Sequence, residues 1–159
     1  MPRQYVVVMP AVSITVLQDL LTLSLANNGY AEVTRINVMS VDSTLATAQM
    51  IEVECSLVTG ATLGSGGSSQ TPYKLDPGDA GAGVACRKND TTGATGTEIV
   101  VWSGGCYLYQ GLDYVFQDTI PLNSVGSRTA FVLRLVNNPV GAVTLVAAVY
   151  FQERGLTGS

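Results

Sequence analysis

Acid–base and nucleophilic chemistry near neutral pH leans on histidine, and this chain of 159 residues contains none. Its absence removes Ser-His-Asp and Cys-His catalysis, imidazole metal sites and the ordinary general base. Other residue types were weighed in its place. A glycosidase needs two carboxylates across a cleft; Glu52 with Glu54, or Asp113 with Asp118 beside an aromatic stretch, could supply them, but solvated strand faces account for them more simply. Asp76, Asp79 and Asp90 offer oxygen ligands for calcium, yet the EF-hand spacing is missing and aspartate commonly forms turns. Gly60 and Gly64 lack the Gly-Lys-Ser/Thr that completes a phosphate-binding P-loop, and no dinucleotide-binding spacing is met. The expectation is a protein without catalytic residues, metal or cofactor.

The thiols and aromatic rings also favour structure over chemistry. Cys55, Cys86 and Cys106 are odd in number and show no C-x-x-C spacing, so neither a disulfide framework nor a zinc site is expected. Cys55 lies on the apolar phase of a strand, as a buried thiol would in a reducing cytosol. Trp102, Tyr107, Tyr109, Tyr114 and Phe116 could stack on sugars, but such rings in a β-sandwich more often serve the core or a protein contact. Asn89-Asp90-Thr91 matches a glycosylation sequon, which has meaning only in an exported protein.

Composition sets the broad class. Only 13% of the residues are charged and 47% are hydrophobic, with a net charge of −4. The few Lys and Arg are scattered, where nucleic-acid binding needs them clustered, so no nucleic-acid partner is expected. No stretch approaches the roughly 18 apolar residues of a membrane helix, and Tyr5 to Val12 lacks a cleavage site, so a soluble, unexported protein is expected.

The elements follow from apolar period and turn signals. Arg3 to Met9 reads as a strand ended by Pro10, at a sheet edge or in an N-terminal arm spanning 1–10. Val12 to Ala26 fits either period, and its Thr and Val favour a strand before the turn Asn27-Asn28-Gly29. Ala31 to Val41 is a strand, followed by a polar link through Asp42, Ser43 and Thr44. Gln49 to Thr59 alternates, with Ile51, Val53, Cys55 and Leu57 on one face and Glu52, Glu54 and Ser56 on the other. After an extended loop over 60–83 come short strands at Val84 to Arg87 and at Glu98 to Trp102, the latter broken by Gly104-Gly105. Cys106 to Asp118 is either split by Gly111 into two short strands or bulged there. Thr129 to Val136 and Ala142 to Glu153 follow, the last with so little polar surface that it is either central or covered by a partner. About eight strands and no helix in a single domain spanning 1–159 argue for an antiparallel β-sandwich, jelly-roll-like.

The loop Gly60 to Gly83 has no apolar period and is long enough to be functional or disordered. Within it, Gly64-Ser-Gly-Gly-Ser-Ser-Gln-Thr-Pro-Tyr-Lys-Leu-Asp-Pro-Gly-Asp-Ala-Gly-Ala-Gly83 resembles a family of small structural proteins of tailed phages. Those proteins pair such a loop with a turn-rich segment like Asn89 to Gly96 and end in two apolar strands like Arg128 to Val136 and Val143 to Glu153. The chain is also similar in general to capsid decoration (cement) proteins, which are often jelly-roll trimers on the outside of the shell. The resemblance implies a virion protein with the major capsid protein and further copies of itself, as a homotrimer, for partners. It implies capsid or intersubunit contacts by the arm (Arg3, Tyr5, Val7) and by the loop (Gly64, Ser65, Gly66, Gly67, Thr71, Pro72, Tyr73, Leu75, Asp76, Pro77). On that view, deleting Gly64 to Asp79 leaves a folded protein that no longer binds capsids. The alternatives are another virion part (head-fibre base, tail component or jelly-roll shell protein) and a carbohydrate-binding β-sandwich.

Overall fold

A computed structural model describes residues 1–26, 29–42 and 49–154. Among them are eleven strands and no helix, so none is long and apolar enough to cross a membrane. In chain order the strands are β1 (Arg3–Ile14), β2 (Asp19–Leu25), β3 (Gly29–Ser40), β4 (Met50–Thr62), β5 (Ser68–Gln70) and β6 (Tyr73–Lys74). They continue with β7 (Ala85–Asp90), β8 (Thr95–Tyr107), β9 (Leu112–Ser124), β10 (Thr129–Leu135) and β11 (Val143–Glu153). The expected turn at Asn27-Asn28 and the link through Ser43 and Thr44 lie outside the described residues.

Two antiparallel sheets pack face to face, ordered β6-β1-β11-β3-β9 and β5-β7-β2-β10-β4-β8. Setting aside β5, β6 and β7, the eight remaining strands pair first with last and inwards: β1 with β11, β2 with β10, β3 with β9 and β4 with β8. One long hairpin rolled on itself gives this order, which is the jelly roll. The expected fold class is the one observed. The final strand, whose two apolar faces suggested a central place, does lie between β1 and β3.

The core lies between the sheets. Tyr5, Ile36, Val38, Leu21, Leu23, Ile51, Val53, Phe131, Leu133, Leu145, Val149 and Phe151 are buried there. Each such large apolar side chain contributes about 1.5–3 kcal/mol on full burial. Tyr5 and Phe151, cross-strand partners, stack with ring centroids 5.3 Å apart.

Two boundaries and one pattern differ from the sequence reading. Pro10 does not end β1; the strand runs on to Ile14 through a register shift between Met9 and Val12 that leaves Pro10 free of a ladder bond. Gly104-Gly105 does not end β8, which continues to Tyr107. There the missing side chains make room for Trp102 and Met50, which a Cβ at either glycine would meet closer than 3 Å. Strict alternation also fails in β2 and β10, where the outward residues Thr22, Ser24, Ala130 and Val132 are buried as well. Ala130 and Val132 belong to a second small core with Val58 and Ala61 of β4 and Ala94 of the segment leading into β8.

Candidate functional site

The residues expected to make contacts fall in two segments, and the sheets bring these segments together against each other. β6 pairs antiparallel with β1, setting Lys74 beside Tyr5 and Tyr73 beside Val6. The Leu75 N–H donates to the Gln4 carbonyl (3.0 Å), and the Tyr5 hydroxyl donates to the Ala80 carbonyl (2.9 Å). Tyr5 and Val7 are both 0% exposed. They are core residues of a sheet strand, which corrects their expected place in a contacting arm. Arg3, at the start of that strand, is half-buried opposite Glu153.

The loop is built in the same way, from close backbone contacts. Ser65 and Thr92 exchange two backbone hydrogen bonds of 3.0 Å, and β5 pairs with β7, adding a strand to the second sheet. The Gly67 N–H donates to the Asp90 carboxylate (3.1 Å), whose other partner is the Arg87 guanidinium (2.7 Å). Asn89 supplies the sharp bend above this, at φ 56°, a left-handed conformation that asparagine tolerates better than most residues. A Cβ on Gly64, Gly66 or Gly67 would land on the Thr92 carbonyl, the Thr91 hydroxyl or the Lys88 carbonyl respectively. The glycines are therefore present for close packing, and the excursion is a folded lid over one side of the sandwich.

The tip of the lid projects, and nearer its base Ser65, Gly66, Ser68 and Ser69 are exposed as well, with Gly64 and Gly67 half-buried. Thr71, Tyr73, Leu75, Asp76 and Pro77 are exposed, with Tyr73 and Leu75 the large apolar members; Pro72 is half-buried. The tip is a tight turn in which the Asp76 carboxylate accepts from the Gly78 N–H (2.9 Å) and the Asp76 carbonyl from the Asp79 N–H (3.1 Å). Asp76 and Asp79 thus serve the turn, and among the described residues no cluster of Cys, Asp and Glu is arranged to hold a metal ion.

Beside the lid lies a buried ionic group. Asp19 is buried, accepts the Ala94 N–H (2.8 Å) and pairs with Arg134 (3.0 Å), which also reaches Glu98 (2.8 Å). Burial raises the Asp19 carboxyl above the usual range, opposed by the Ala94 N–H and by Arg134. These bonds anchor the return segment Thr91 to Ala94 to the sheet. The three thiols are buried, and desolvation pushes Cys86 up to about 12, Cys106 up to about 11 and Cys55 higher still. Thiols so weakly acidic are poor nucleophiles.

The opposite side of the sandwich is different. There β8 ends one sheet and β9 the other, each 13 residues long. Ile99, Val100 and Val101 of β8 are exposed in succession, and Val115 of β9 is exposed too. Trp102 and Tyr114 bridge the two strands with centroids 5.0 Å apart at 39°, and Phe116 meets Tyr114 edge-on at 73°. These tilted rings pack along the seam between the two sheets, while Tyr107 and Tyr109 meet edge-on at 62° with Tyr109 exposed. The sequence carries a signal for this edge that its reading missed: Glu98-Ile-Val-Val-Trp102 lacks alternation, as a strand covered on one side only does not.

No family model, curated protein or solved structure matches the chain.

Proposed function

We propose that this protein is a structural component of a virus particle, a decoration protein that seats on the outer surface of an icosahedral phage head and bridges its capsomers. The observation that carries the reading is the role of the resembling motif. Gly64-Ser-Gly-Gly and its partner segment Asn89 to Gly96 are the two sides of one closure, held by the Ser65–Thr92 bridge and by glycines that admit no side chain. A motif dictated by packing is a way of building the domain, and the reading takes the likeness to small phage structural proteins to extend to architecture. Jelly rolls recur in viral capsid, lectin and cupin domains. The cupin route to metal chemistry lacks histidine here, and the tilted rings at Trp102 and Tyr114 do not favour the lectin route.

In this reading the rigid sandwich supplies area and stiffness, and the exposed lid tip from Thr71 to Pro77 makes the contact with the major capsid protein. A net charge of −4 suits the outside of a shell better than its DNA-lined interior. The test is the copy number of the chain in purified particles, by quantitative mass spectrometry against the major shell protein. Near-equal stoichiometry is expected. A handful of copies would move the protein to a tail or vertex, and absence would discard the reading.

A further inference from the structure

Of the 6 prolines in the chain, Pro77 alone follows an aspartate. The bond between Asp76 and Pro77 stands at the tip of the lid, where both residues are exposed. In dilute acid an aspartyl–prolyl bond is the most labile peptide link, for two reasons. The β-carboxylate is a nucleophile that can close a five-membered ring on its own carbonyl carbon. Proline presents a tertiary amide, whose nitrogen takes a proton more readily than a secondary amide and departs as an amine. The turn adds two donors to this intrinsic chemistry. The Asp79 N–H donates to the Asp76 carbonyl (3.1 Å), the very group that the carboxylate would attack. A donor at that oxygen draws charge from the carbon and stabilises the oxyanion as it forms. The Gly78 N–H donates to Asp76 Oδ1 (2.9 Å), which turns the carboxylate towards the residues that follow it. That bond holds one side-chain rotamer out of the several open to an unfolded chain.

We propose that Asp76–Pro77 is a self-cleavage site, where the folded turn promotes scission of the chain into two fragments, 1–76 and 77–159, that stay assembled. An oxygen of the Asp76 carboxylate attacks the Asp76 carbonyl carbon, and the new C–O bond closes a cyclic anhydride. The C–N bond to Pro77 breaks, and the departing nitrogen takes a proton from the solvent. Water then opens the anhydride, which leaves Asp76 with two carboxyl groups and Pro77 with a free secondary amine. Water is the only other reactant.

The fold keeps the nicked chain together because each limb of the lid is anchored separately. Before the bond, β5 pairs with β7, β6 pairs with β1, and the Leu75 N–H reaches the Gln4 carbonyl. After it, the Ala80 carbonyl accepts from the Tyr5 hydroxyl, and the Val84 N–H donates to the Glu153 carboxylate (2.8 Å). The fragments are also interleaved in both sheets: β11 lies between β1 and β3, and β2 lies between β7 and β10. Cleavage therefore places a new carboxylate and a new amine at an exposed tip and leaves the core alone. The inference does not depend on the virus-particle reading.

Intact-mass spectrometry of the full chain held at about pH 4, near the ordinary aspartate pKa, tests it. Two fragments that meet between Asp76 and Pro77 are expected, eluting as one species on native size exclusion and separating in urea. Scission of the folded chain, its fold verified by circular dichroism, should be about tenfold faster than that of the urea-unfolded chain at the same pH and temperature. Asp76→Glu has to close a six-membered ring, and Pro77→Ala offers a secondary amide in place of the tertiary one. Both variants should stay intact over the time in which the wild type is cut. A wild-type chain that remains whole, scission no faster in the folded than in the unfolded chain, or fragments that part under native conditions would each overturn the proposal. So would a Pro77→Ala variant cut as fast as the wild type.

Discussion

The two flanks of this sandwich solve the same problem in opposite ways. On one flank the chain spends its long excursion on finishing both sheets: β5 and β6 are short, Tyr5 is roofed by Ala80, and the glycines at 64, 66 and 67 let the lid lie directly on Lys88, Thr91 and Thr92. On the other flank two 13-residue strands end the sheets, and one of them, β8, leaves Ile99, Val100 and Val101 in solvent. Edge strands left open in natural proteins usually have partners. The comparison teaches that the segment with the most loop-like composition is a structural closure, and that a strand of ordinary composition is the free surface.

The largest effect expected comes from removing the closure, and it runs against the folded deletion that the resemblance alone implied. Deleting Gly64 to Asp79 removes β5, β6 and the Ser65–Thr92 bridge, uncovers Tyr5 and leaves Asp90 without the Gly67 N–H. The loss should exceed about 4–5 kcal/mol, a large part of a typical domain's stability of roughly 5–15 kcal/mol. Urea titration would show it as an unfolded or aggregating variant. A stably folded deletion would mean that the lid is dispensable and would break the comparison.

Next in size is Arg134→Ala, which strands the buried Asp19 carboxylate; about 3 kcal/mol is expected, at the low end for breaking a buried pair because Arg134 keeps some exposure. Asp19 also has a signature in pH. Its carboxyl is raised by burial, so the native state holds the proton more tightly than the unfolded chain. Its contribution is therefore greatest below the ordinary carboxylate pKa and is lost as pH rises through the raised value. Wild-type and Asp19→Asn unfolding curves compared from acid to neutral pH should differ by that slope.

Much of the jelly roll could be read from the sequence because alternation over Gln49 to Thr59, Thr129 to Val136 and Ala142 to Glu153 is a local consequence of a face buried between sheets. A break at Gly111, at φ 74°, was legible as a split or a bulge, though the length of the two strands it joins was not. The lid was not legible, because its stability comes from backbone approach and from contacts distant in sequence, such as Tyr5 with Ala80, and these leave no apolar period. The same contacts hid the true place of Tyr5 and Val7. A proline after an apolar run suggests a loose arm, and only the pairing with β11 and β6 shows the strand passing it through a bulge. The resemblance drew attention to Gly64 to Gly67, where Ser65 and Gly66 are exposed and Gly64 and Gly67 half-buried, so a close-packing role of the glycines stands beside the contact role expected of them.

Smaller substitutions sharpen the comparison. Gly67→Ala drives a methyl into the Lys88 carbonyl and should cost about 1–3 kcal/mol as an overpacked contact, while an equally small change at the open edge, Val100→Thr, should stay within about 0.5 kcal/mol. Tyr5→Phe removes only the hydrogen bond to Ala80 and should cost about 1 kcal/mol, measured by the same titration. If Gly67→Ala were as mild as Val100→Thr, the lid would be adjustable and the tight approach of its glycines would have no energetic meaning.

The finest test uses the thiols as reporters of local opening, since Cys86 sits in β7 with ladder partners on both sides, Leu23 and Gln70, and Cys106 sits in β8 with one partner, Ile51. Both are buried, with pKa values pushed well above the ordinary thiol range, so labelling near neutral pH requires the strand to open. Freeing Cys106 breaks one ladder, whereas freeing Cys86 breaks two and lifts the lid. Mass-spectrometric labelling of dilute protein should therefore modify Cys106 before Cys86. Gly67→Ala should speed Cys86 and leave Cys106 unchanged, because the strain it adds lies wholly on the lidded flank. Equal rates in the wild type would mean that both cysteines are freed only by global unfolding, and Cys86 labelling first would make the lidded flank the weaker one.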